Sequence, residues 1–376
     1  MQFKDLIGQQ AVRNGLIQLW QQGKWPHALL ISAKEGRGGL PLGLAITQYI
    51  FCSQKTATDS CGTCASCQKL SRLAHPDVHL TFPSIAPKPK VKASSKYFLS
   101  EFREFVAQRP YGSTFDWLQF INAENKQGNI TAEECREIID TLNMSAFEGG
   151  AKVQLIWRPE YLGKEGNILL KLMEEPPANT YLILVAEEVD ELLPTIISRT
   201  QQVVLPPLSA AEIAAGLVAQ GTEQQKAAQV AQLADGSYAQ AQQLLGVAEN
   251  DLLTPLKQWF NGIFTDNGLL LHECVENLAK SGREQQKNFL LFTQRLLGHA
   301  FRMQLIPGYQ PSLPPAETVF VGKLAQRNLH PEIYQRMDQC LDKAIYQIER
   351  NVHSKTVLLH LSVQLQYFIQ GKELRV

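Results

Sequence analysis

The chain has 376 residues, of which 44% are hydrophobic, and basic and acidic side chains are equal in number at 36 each. This length allows two or three domains with buried cores, and the charge balance excludes a global basic field that would dominate nucleic-acid binding. No apolar run approaches the roughly 20 residues that span a bilayer, and the first residues lack the apolar core of a secretory signal. We therefore expect a cytoplasmic protein with no membrane partner.

The first two hundred residues alternate apolar strand-like runs with helical patterns. This alternation predicts a parallel sheet covered by helices. Thr131 and Glu134 have the spacing of a capping box, which predicts a helix that begins there. The predicted strands lie at residues 28–32, 78–82, 117–121, 152–157, 181–185 and 201–205.

A glycine-rich segment follows the first predicted strand. Residues 33–40 fill the eight positions of a phosphate-binding loop, G-x-x-x-x-G-K-[ST]. A working loop has Lys seventh, to reach the phosphates, and Ser or Thr eighth, to hold magnesium, but this chain has Gly39 and Leu40. Gly36, Gly38 and Gly39 still allow a tight loop, so weak anion binding stays open. The segment is either a vestigial nucleotide loop or a glycine-rich turn without nucleotide ancestry.

Four cysteines lie close together in the next segment. Cys61, Cys64 and Cys67 are separated by two residues each, and Cys52 precedes them by a short loop. Four thiolates suit a closed, structural Zn²⁺ site, because no position stays open for water. A redox motif and an iron–sulfur cluster are the alternatives. His75 is a spare donor, and we expect it to cap the following turn instead.

Residues 83–96 are rich in proline breaks and lysines. Lys88, Lys90, Lys92 and Lys96 occur there without an acid. We expect a flexible, exposed loop. A solvated insertion is the favoured interpretation, and contact with a phosphate backbone is the alternative.

The strand–helix alternation stops at Pro206-Pro207, and Ser209 with Glu212 forms a second capping-box pattern. We therefore expect a domain boundary there. Helical sequence follows, with a break near residues 307–315 and a last helix from about 331 to 371 that is interrupted at 351–354. The predicted domains are an α/β domain at 1–207 with a zinc module at about 52–70, a small three-helix domain at 208–248, and an all-α bundle at 249–376.

Several motifs occur in a characteristic order along the chain. They are LIGQ at 6–9, PHALL at 26–30, the four-cysteine insertion, NILLKLMEEPP at 167–177 and LPTIISRT at 193–200. The sequence resembles the delta-prime subunits of the bacterial DNA polymerase III clamp loader, a family of AAA+ proteins. The resemblance is specific to about Ser237 and continues beyond only in helical character. It implies an AAA+ α/β domain of the P-loop type, a helical lid and a helical collar.

Delta-prime subunits do not hydrolyse ATP, and the resemblance implies the same here. Active AAA+ members carry a magnesium-binding Asp, a polar sensor and an arginine at three further positions. This chain has lost those residues. This chain has Trp157 with Glu160 nearby, then Ala186 and Glu187, and then Ala239 or Gln240.

The resemblance also implies a role for Arg199. In the family, the Ser-Arg-Cys motif projects its arginine into the ATP site of a neighbouring motor subunit, and such fingers contribute roughly 10³ to 10⁵ in rate. Ser198 and Arg199 match the motif, and Thr200 replaces the Cys. From the residues alone, a surface salt bridge is the favoured interpretation of Arg199.

The resemblance therefore implies a subunit that is not an enzyme in isolation but forms part of the DNA polymerase III holoenzyme in DNA replication. The implied partners are AAA+ motor subunits of the tau/gamma type and the delta subunit, with the sliding clamp and primed DNA reached through the complex. Structural zinc is the one cofactor expected, without a functional ATP site. The alternatives are a divergent stand-alone AAA+ ATPase and a zinc-dependent DNA-binding protein.

Overall fold

The computed structural model describes residues 1–88, 91–123, 126–247, 252–311, 313–350 and 352–370. The chain divides into two compact units, Met1–Leu244 and Leu245–Val376. The division falls within a helix, a few residues before the boundary at 248 that the sequence predicts. Within the described residues, no helix is long and apolar enough to cross a membrane.

The first unit contains a five-stranded parallel sheet with the strand order β2-β3-β4-β1-β5. Five of the six predicted strands are confirmed, each to within one residue at either end. Strand β1 lies inside the sheet, between β4 and β5, and the loop that leaves its carboxyl end is therefore flanked by both neighbours. The strands are β1 Ala28–Ser32, β2 Val78–Thr81, β3 Lys152–Trp157, β4 Thr180–Ala186 and β5 Gln201–Val204.

Helices connect the strands and continue to the division between the units. Short 3₁₀ segments lie at Phe3–Asp5, Ser95–Phe98, Pro159–Leu169 and Val189–Glu191, the third of them interrupted at Gly163. The helices are α1 Gln10–Gln21, α2 Gly39–Phe51, α3 Ala65–Ser71, α4 Leu99–Gln108, α5 Thr114–Phe120, α6 Ala132–Asn143, α7 Leu170–Glu174, α8 Pro194–Ile197, α9 Ala210–Ala219, α10 Gln224–Leu233 and α11 Tyr238–Val247.

Side chains of the central strands alternate between two buried cores. Leu29 and Ile31 join a core that includes α2 and α4, whereas Leu30 and Leu184 join a second core with α6 and α7. Because successive strand residues point to opposite faces, this alternation places helices on both sides of the sheet. The predicted α/β layering is confirmed.

The strand predicted at 117–121 is wrong, because this segment forms helix α5. Ser113 opens the helix with a reciprocal capping box, in which its hydroxyl accepts from the Asp116 N–H at 3.0 Å and the Asp116 carboxylate accepts from the Ser113 N–H at 2.8 Å. The Trp117 ring is fully buried, 5.2 Å from both Phe82 and Phe102. The apolar run suggested a strand, but the cap selects the helix.

The two predicted capping boxes differ in outcome. Ser209 and Glu212 form the full reciprocal pair at the start of α9. Thr131 caps α6, but the Glu134 carboxylate accepts from the backbone N–H of Ser95 at 2.9 Å instead of returning to the cap. Burial raises the pKa of Glu134.

The loop at 83–96 is exposed only in part. Its two ends are buried through Pro83, Ser84, Ser94 and Ser95, while Lys88 and Lys92 are exposed. The prediction of a wholly exposed loop is therefore wrong at both ends, since Ser95 bonds the Phe82 backbone. The Ser95 hydroxyl accepts from the Phe82 N–H and donates to its carbonyl, both at 2.9 Å. Lys90 lies outside the described residues.

The second unit is helical around its own core, as predicted. The break expected near 307–315 separates α14 from α15, and the break expected in the last helix separates α16 from α17; residues 351 and 371 lie outside the described residues. The helices are α12 Leu253–Phe264, α13 Gly268–Lys280, α14 Arg283–Leu305, α15 Pro315–Ala325, α16 Pro331–Glu349 and α17 Ser354–Ile369.

Replacement of Ser113 by Ala tests the role of the α5 cap. We expect Ser113→Ala to lower the free energy of unfolding by roughly 0.5–2 kcal/mol, because the Asp116 N–H loses the hydroxyl that accepts from it. Urea denaturation measures the change. Ser100→Ala, at an exposed position in α4, is the matched control. Equal stability of the two variants would show that the cap does not select the helix.

Candidate functional site

The glycine-rich segment connects β1 to α2 at the carboxyl edge of the sheet. Gly38 immediately precedes the helix with a φ of +93°, and Gly36 has a φ of +74°. Residues with side chains rarely adopt these angles. The Ala33 N–H donates to the Ala186 carbonyl at 2.9 Å, which fixes the segment beside the end of β4.

No side chain fits at Gly39 without movement of its neighbours. A Cβ atom built there lies 2.9 Å from the Ala33 Cβ and 2.9 Å from the Val185 Cγ1. This is the seventh loop position, at which a working loop carries its lysine. The first turn of α2 therefore packs directly on the sheet, and the loss of lysine is accompanied by loss of the space for it.

Residues from the start of α11 and from the α4–α5 connection cover the loop. The Tyr238 N–H donates to the Gly36 carbonyl at 2.9 Å, and the Ser237 Oγ lies 2.1 Å from the position that a Cβ on Gly36 would take. The Tyr111 ring lies 3.1 Å from the corresponding position on Gly38. The loop is thus in contact with the protein's own side chains on two sides.

Three charged side chains cluster at the ends of β3 and β4. Arg158 directly follows β3 and forms an ion pair with Glu187, which directly follows β4. The Glu160 carboxylate lies 3.7 Å from the Arg158 Nε and accepts from the backbone N–H groups of Glu187 at 2.5 Å and Glu188 at 2.6 Å. The three side chains are at most 14% exposed. The ends of β3 and β4 therefore carry an internal ionic cluster.

Burial dominates the electrostatics of this cluster. It raises the pKa of Glu187 to about 7, although the neighbouring Arg158 opposes the shift. Burial also raises the pKa of Glu160. For Arg158, burial acts to lower the pKa, but the charges of Glu187 and Glu160 together raise it. Burial is therefore the main reason that the pKa of Glu187 lies near neutral pH, and the charge of Glu160 adds to the shift.

Sequence reasoning identified Glu160 and Glu187 separately and missed Arg158. A signal was present, because two acids at the ends of neighbouring buried strands require a cation, and Arg158 occupies the adjacent strand end.

Arg199 lies on the turn between α8 and β5. Its Nε donates to the Glu174 Oε1 at 2.6 Å, and its Nη1 donates to the Thr195 carbonyl at 3.0 Å and the Ser198 Oγ at 3.3 Å. The Arg199 side chain is 33% exposed and that of Glu174 is 48% exposed. The salt bridge that the residues alone favoured is therefore present, and exposed pairs of this kind contribute only ~0–1 kcal/mol.

The structure brings together all four predicted metal ligands. The Sγ atoms of Cys52, Cys61, Cys64 and Cys67 lie within 4.8 Å of one another, and Cys61 and Cys67 are 3.9 Å apart. A tetrahedral site with Zn–S bonds of about 2.3 Å requires sulfur–sulfur distances of about 3.8 Å. The geometry therefore fits a tetrathiolate metal site.

Backbone N–H groups support negative charge on the sulfurs. The Cys61 N–H donates to the Cys52 Sγ at 3.2 Å, and the Cys64 N–H donates to the Cys61 Sγ at 3.3 Å. Burial acts to raise the pKa of Cys64, but hydrogen bonds from Cys67 and Ser53 lower it to about 6. Hydrogen bonds from Cys64 and Thr63 lower the pKa of Cys61, whereas burial raises that of Cys52 and Cys67.

His75 caps a turn, as predicted. Its Nδ1 accepts from the Asp77 N–H at 3.2 Å, and its Nε2 lies 3.3 Å from the Glu148 carboxylate. Among the described residues, the metal-ligating group comprises the four cysteines without His75.

The sequence of the chain is similar to those of known proteins. A sequence profile of the family described as DNA polymerase III, delta subunit, matches residues 8–209, more than half of the chain. The chain belongs to this family. Subunit delta' of DNA polymerase III from Escherichia coli K12 is 30% identical over 193 residues, which are 51% of this chain and 46% of that protein. The resemblance to delta-prime subunits is confirmed.

Other family relatives show the same extent of similarity. Subunit delta' from Yersinia pestis is 28% identical over 200 residues, 52% of this chain and 44% of that protein. The chain spans about half the length of these relatives. A solved gamma-subunit-related protein from Thermotoga maritima aligns over 94% of this chain and 99% of its own, with 14% identity and a TM-score of 0.40.

The raised pKa of Glu187 predicts a pH dependence of stability. Folded Glu187, whose pKa is raised to about 7, retains its proton to about that pH, whereas the unfolded side chain loses it near the ordinary glutamate pKa of 4.5. The folded state therefore binds more protons in this window, and the contribution of Glu187 to stability falls as the pH rises from about 4.5 to about 7.

The variant Glu187→Gln removes this titration. We expect the melting temperature of Glu187→Gln to rise relative to that of the unchanged protein as the pH rises through the same window. Thermal unfolding at several pH values measures it. The exposed Glu191→Gln is the control, and a difference for Glu187→Gln that does not vary with pH would contradict the shifted pKa.

Proposed function

We propose that this chain is a non-hydrolysing clamp-loader subunit of bacterial DNA polymerase III that acts in the cytoplasm during DNA replication. It assembles with AAA+ motor subunits of the tau/gamma type and with the delta subunit. Through that complex it takes part in the ATP-driven loading of the sliding clamp onto primed DNA. The observation that carries the proposal is the packing at Gly39, where the lysine of a working loop has no space.

The surroundings of the loop support the absence of ATP turnover by the chain in isolation. Gly39 and Leu40 replace the phosphate-binding lysine and the magnesium-binding hydroxyl. Glu187 follows β4, where active members carry a polar phosphate sensor, and Arg158 pairs with both Glu187 and Glu160 within the protein. Ser237 covers Gly36. A stand-alone ATPase is therefore not favoured.

Arg199 is proposed to act in trans, as a finger in the ATP site of a neighbouring motor subunit. Its ion pair with Glu174 is half exposed and weak, so a phosphate group can replace the carboxylate as its partner. The Ser198 Oγ accepts a hydrogen bond from the Arg199 Nη1 and thereby orients the guanidinium. The cation would neutralise charge that develops on the transferring phosphoryl group.

Substitution of Arg199 in the reconstituted complex tests this role. We expect Arg199→Ala to leave assembly intact and to lower ATP turnover at the completed site by roughly 10³- to 10⁵-fold. Arg199→Lys should restore only part of the rate, because the ammonium lacks the two-pronged geometry of the guanidinium. Single-turnover hydrolysis measures the rate, and size-exclusion chromatography measures assembly.

The control for this experiment is Arg136→Ala, which removes an exposed arginine from α6. Its rate should match that of the unchanged complex. An Arg199→Ala complex that assembles and hydrolyses ATP at the unchanged rate would refute the finger.

We further propose that Cys52, Cys61, Cys64 and Cys67 hold Zn²⁺. Bound zinc would cross-link the module and stabilise its fold, since four protein ligands leave no open position for chemistry. The sulfur separations and the N–H donors to the thiolates support this assignment.

Metal analysis tests the assignment. We expect one zinc per chain, and its loss in Cys64→Ser because one thiolate of four is removed. Cys340→Ser, which changes an isolated half-buried cysteine, should retain the metal. Detection of iron and inorganic sulfide instead of zinc would show that the cysteines hold an iron–sulfur cluster. Protein that contains no metal after preparation without chelators would refute the site.

The domain assignment completes the proposal. Residues 1–207 would form the AAA+ domain, 208–248 the lid, and 249–376 the collar that joins neighbouring subunits. The alternative of a zinc-dependent DNA-binding protein is weakened by ion pairs of Lys92 with Glu133 and of Lys96 with Glu137, which neutralise much of the basic loop.

A further inference from the structure

The first residues of the chain connect the four-cysteine cluster to the glycine-rich segment at residues 33–40, which we call the vestigial loop. We call residues 2–9 the strap. Its Phe3 side chain is 1% exposed and lies 5.6 Å from the Tyr49 ring of α2, so the strap is part of the core of the first unit.

One end of the strap is held by the loop between Cys52 and Cys61. The Asp59 carboxylate accepts from the backbone N–H groups of Phe3 at 3.0 Å and Lys4 at 2.9 Å. The Gln2 side-chain amide donates to the Ser60 carbonyl at 2.6 Å. Charge-assisted bonds of this kind are among the stronger hydrogen bonds in proteins.

The other end of the strap is held at the vestigial loop and at the start of α9. The Ile7 N–H donates to the Tyr111 hydroxyl at 2.9 Å, and the Tyr111 ring lies over Gly38. The Gln9 side-chain amide donates to the Pro206 carbonyl at 2.8 Å and to the Arg37 carbonyl at 3.4 Å. The strap therefore links the cysteine loop, the vestigial loop and the end of β5.

Asp59 and Ser60 lie directly before Cys61, whose N–H donates to the Cys52 Sγ. Residues 53–60 otherwise form a loop between the cysteines. Its hydrogen bonds include those from the Thr56 N–H to the Asp59 carbonyl at 2.8 Å, from the Tyr49 hydroxyl to the Thr56 carbonyl at 3.2 Å and from the Gln48 amide to the Ser60 Oγ at 3.1 Å. A metal that joins Cys52 to Cys61 closes this loop and reduces its freedom.

We propose that the four-cysteine module is the anchor of the strap: by fixing Asp59 and Ser60, the bound metal holds residues 2–9 across the vestigial loop. This inference rests on the metal binding proposed above. The module is then an internal brace of the first unit, and its effect reaches Tyr111 and Gln9 at the far end of the strap.

Hydrogen exchange of the full-length chain, followed by mass spectrometry, tests the anchor. The samples are the metal-loaded protein, the same protein stripped with a chelator, Asp59→Asn and, as a control, Thr58→Ala, which alters an exposed side chain next to Asp59. The metal content of every sample is measured in parallel. Asp59→Asn keeps the size of the side chain but replaces one accepting oxygen with a donor.

We expect stripping and Asp59→Asn each to accelerate exchange in the peptide covering residues 2–9 by about tenfold or more, as loss of a bond to a charged acceptor implies. Asp59→Asn should keep its metal, and Thr58→Ala should match the unchanged protein.

Three results would overturn the inference or its basis. If stripping accelerates exchange only within residues 52–67, the metal does not anchor the strap. If Asp59→Asn leaves the strap as protected as Thr58→Ala does, Asp59 is not the link. A chain that never contains metal would refute the zinc assignment itself, an outcome that the metal analysis separates from the other two.

Discussion

The close packing of Gly39 against Ala33 and Val185 is the constraint on which the rest of the first unit depends. It places the first turn of α2 directly beside the ends of β1 and β4, where the Ala33 and Val185 side chains leave no space for a Cβ atom at the seventh loop position. The ends of β3 and β4 nearby are mostly buried. Their polar side chains must find partners within the protein.

The Arg158 cluster provides those partners. Its two carboxylates and one guanidinium are mostly buried, and a buried ionic group of this kind contributes little net stability after the cost of desolvation. Its clearer effect is on geometry, since Glu160 fixes the backbone after β4 through two N–H groups. Together with the strap and Ser237, the cluster joins this edge of the sheet to its surroundings through contacts within the protein.

Most of the sheet could be predicted from the sequence, because buried parallel strands are short apolar runs between helical patterns. Trp117 shows where this reasoning fails: the segment 117–121, with four apolar residues out of five, fits a strand or a helix, and the Ser113 cap distinguishes them. The cysteine spacing predicted the clustering of the four thiols, since residues close in sequence are close in space. Arg158, Tyr111 and Asp59 were missed because their partners are distant in sequence and depend on how the strands and the strap are arranged.

Equilibrium binding of magnesium-ATP to the isolated, full-length chain tests the central claim most directly. Equilibrium dialysis with labelled nucleotide measures it, and an active AAA+ motor subunit serves as the positive control. With Gly39 packed on the sheet and Glu187 beside the loop, the chain should show no saturable binding at millimolar nucleotide. Saturable binding of one nucleotide per chain would contradict the account, because it would show that the loop opens and that the residues covering it do not replace the ligand.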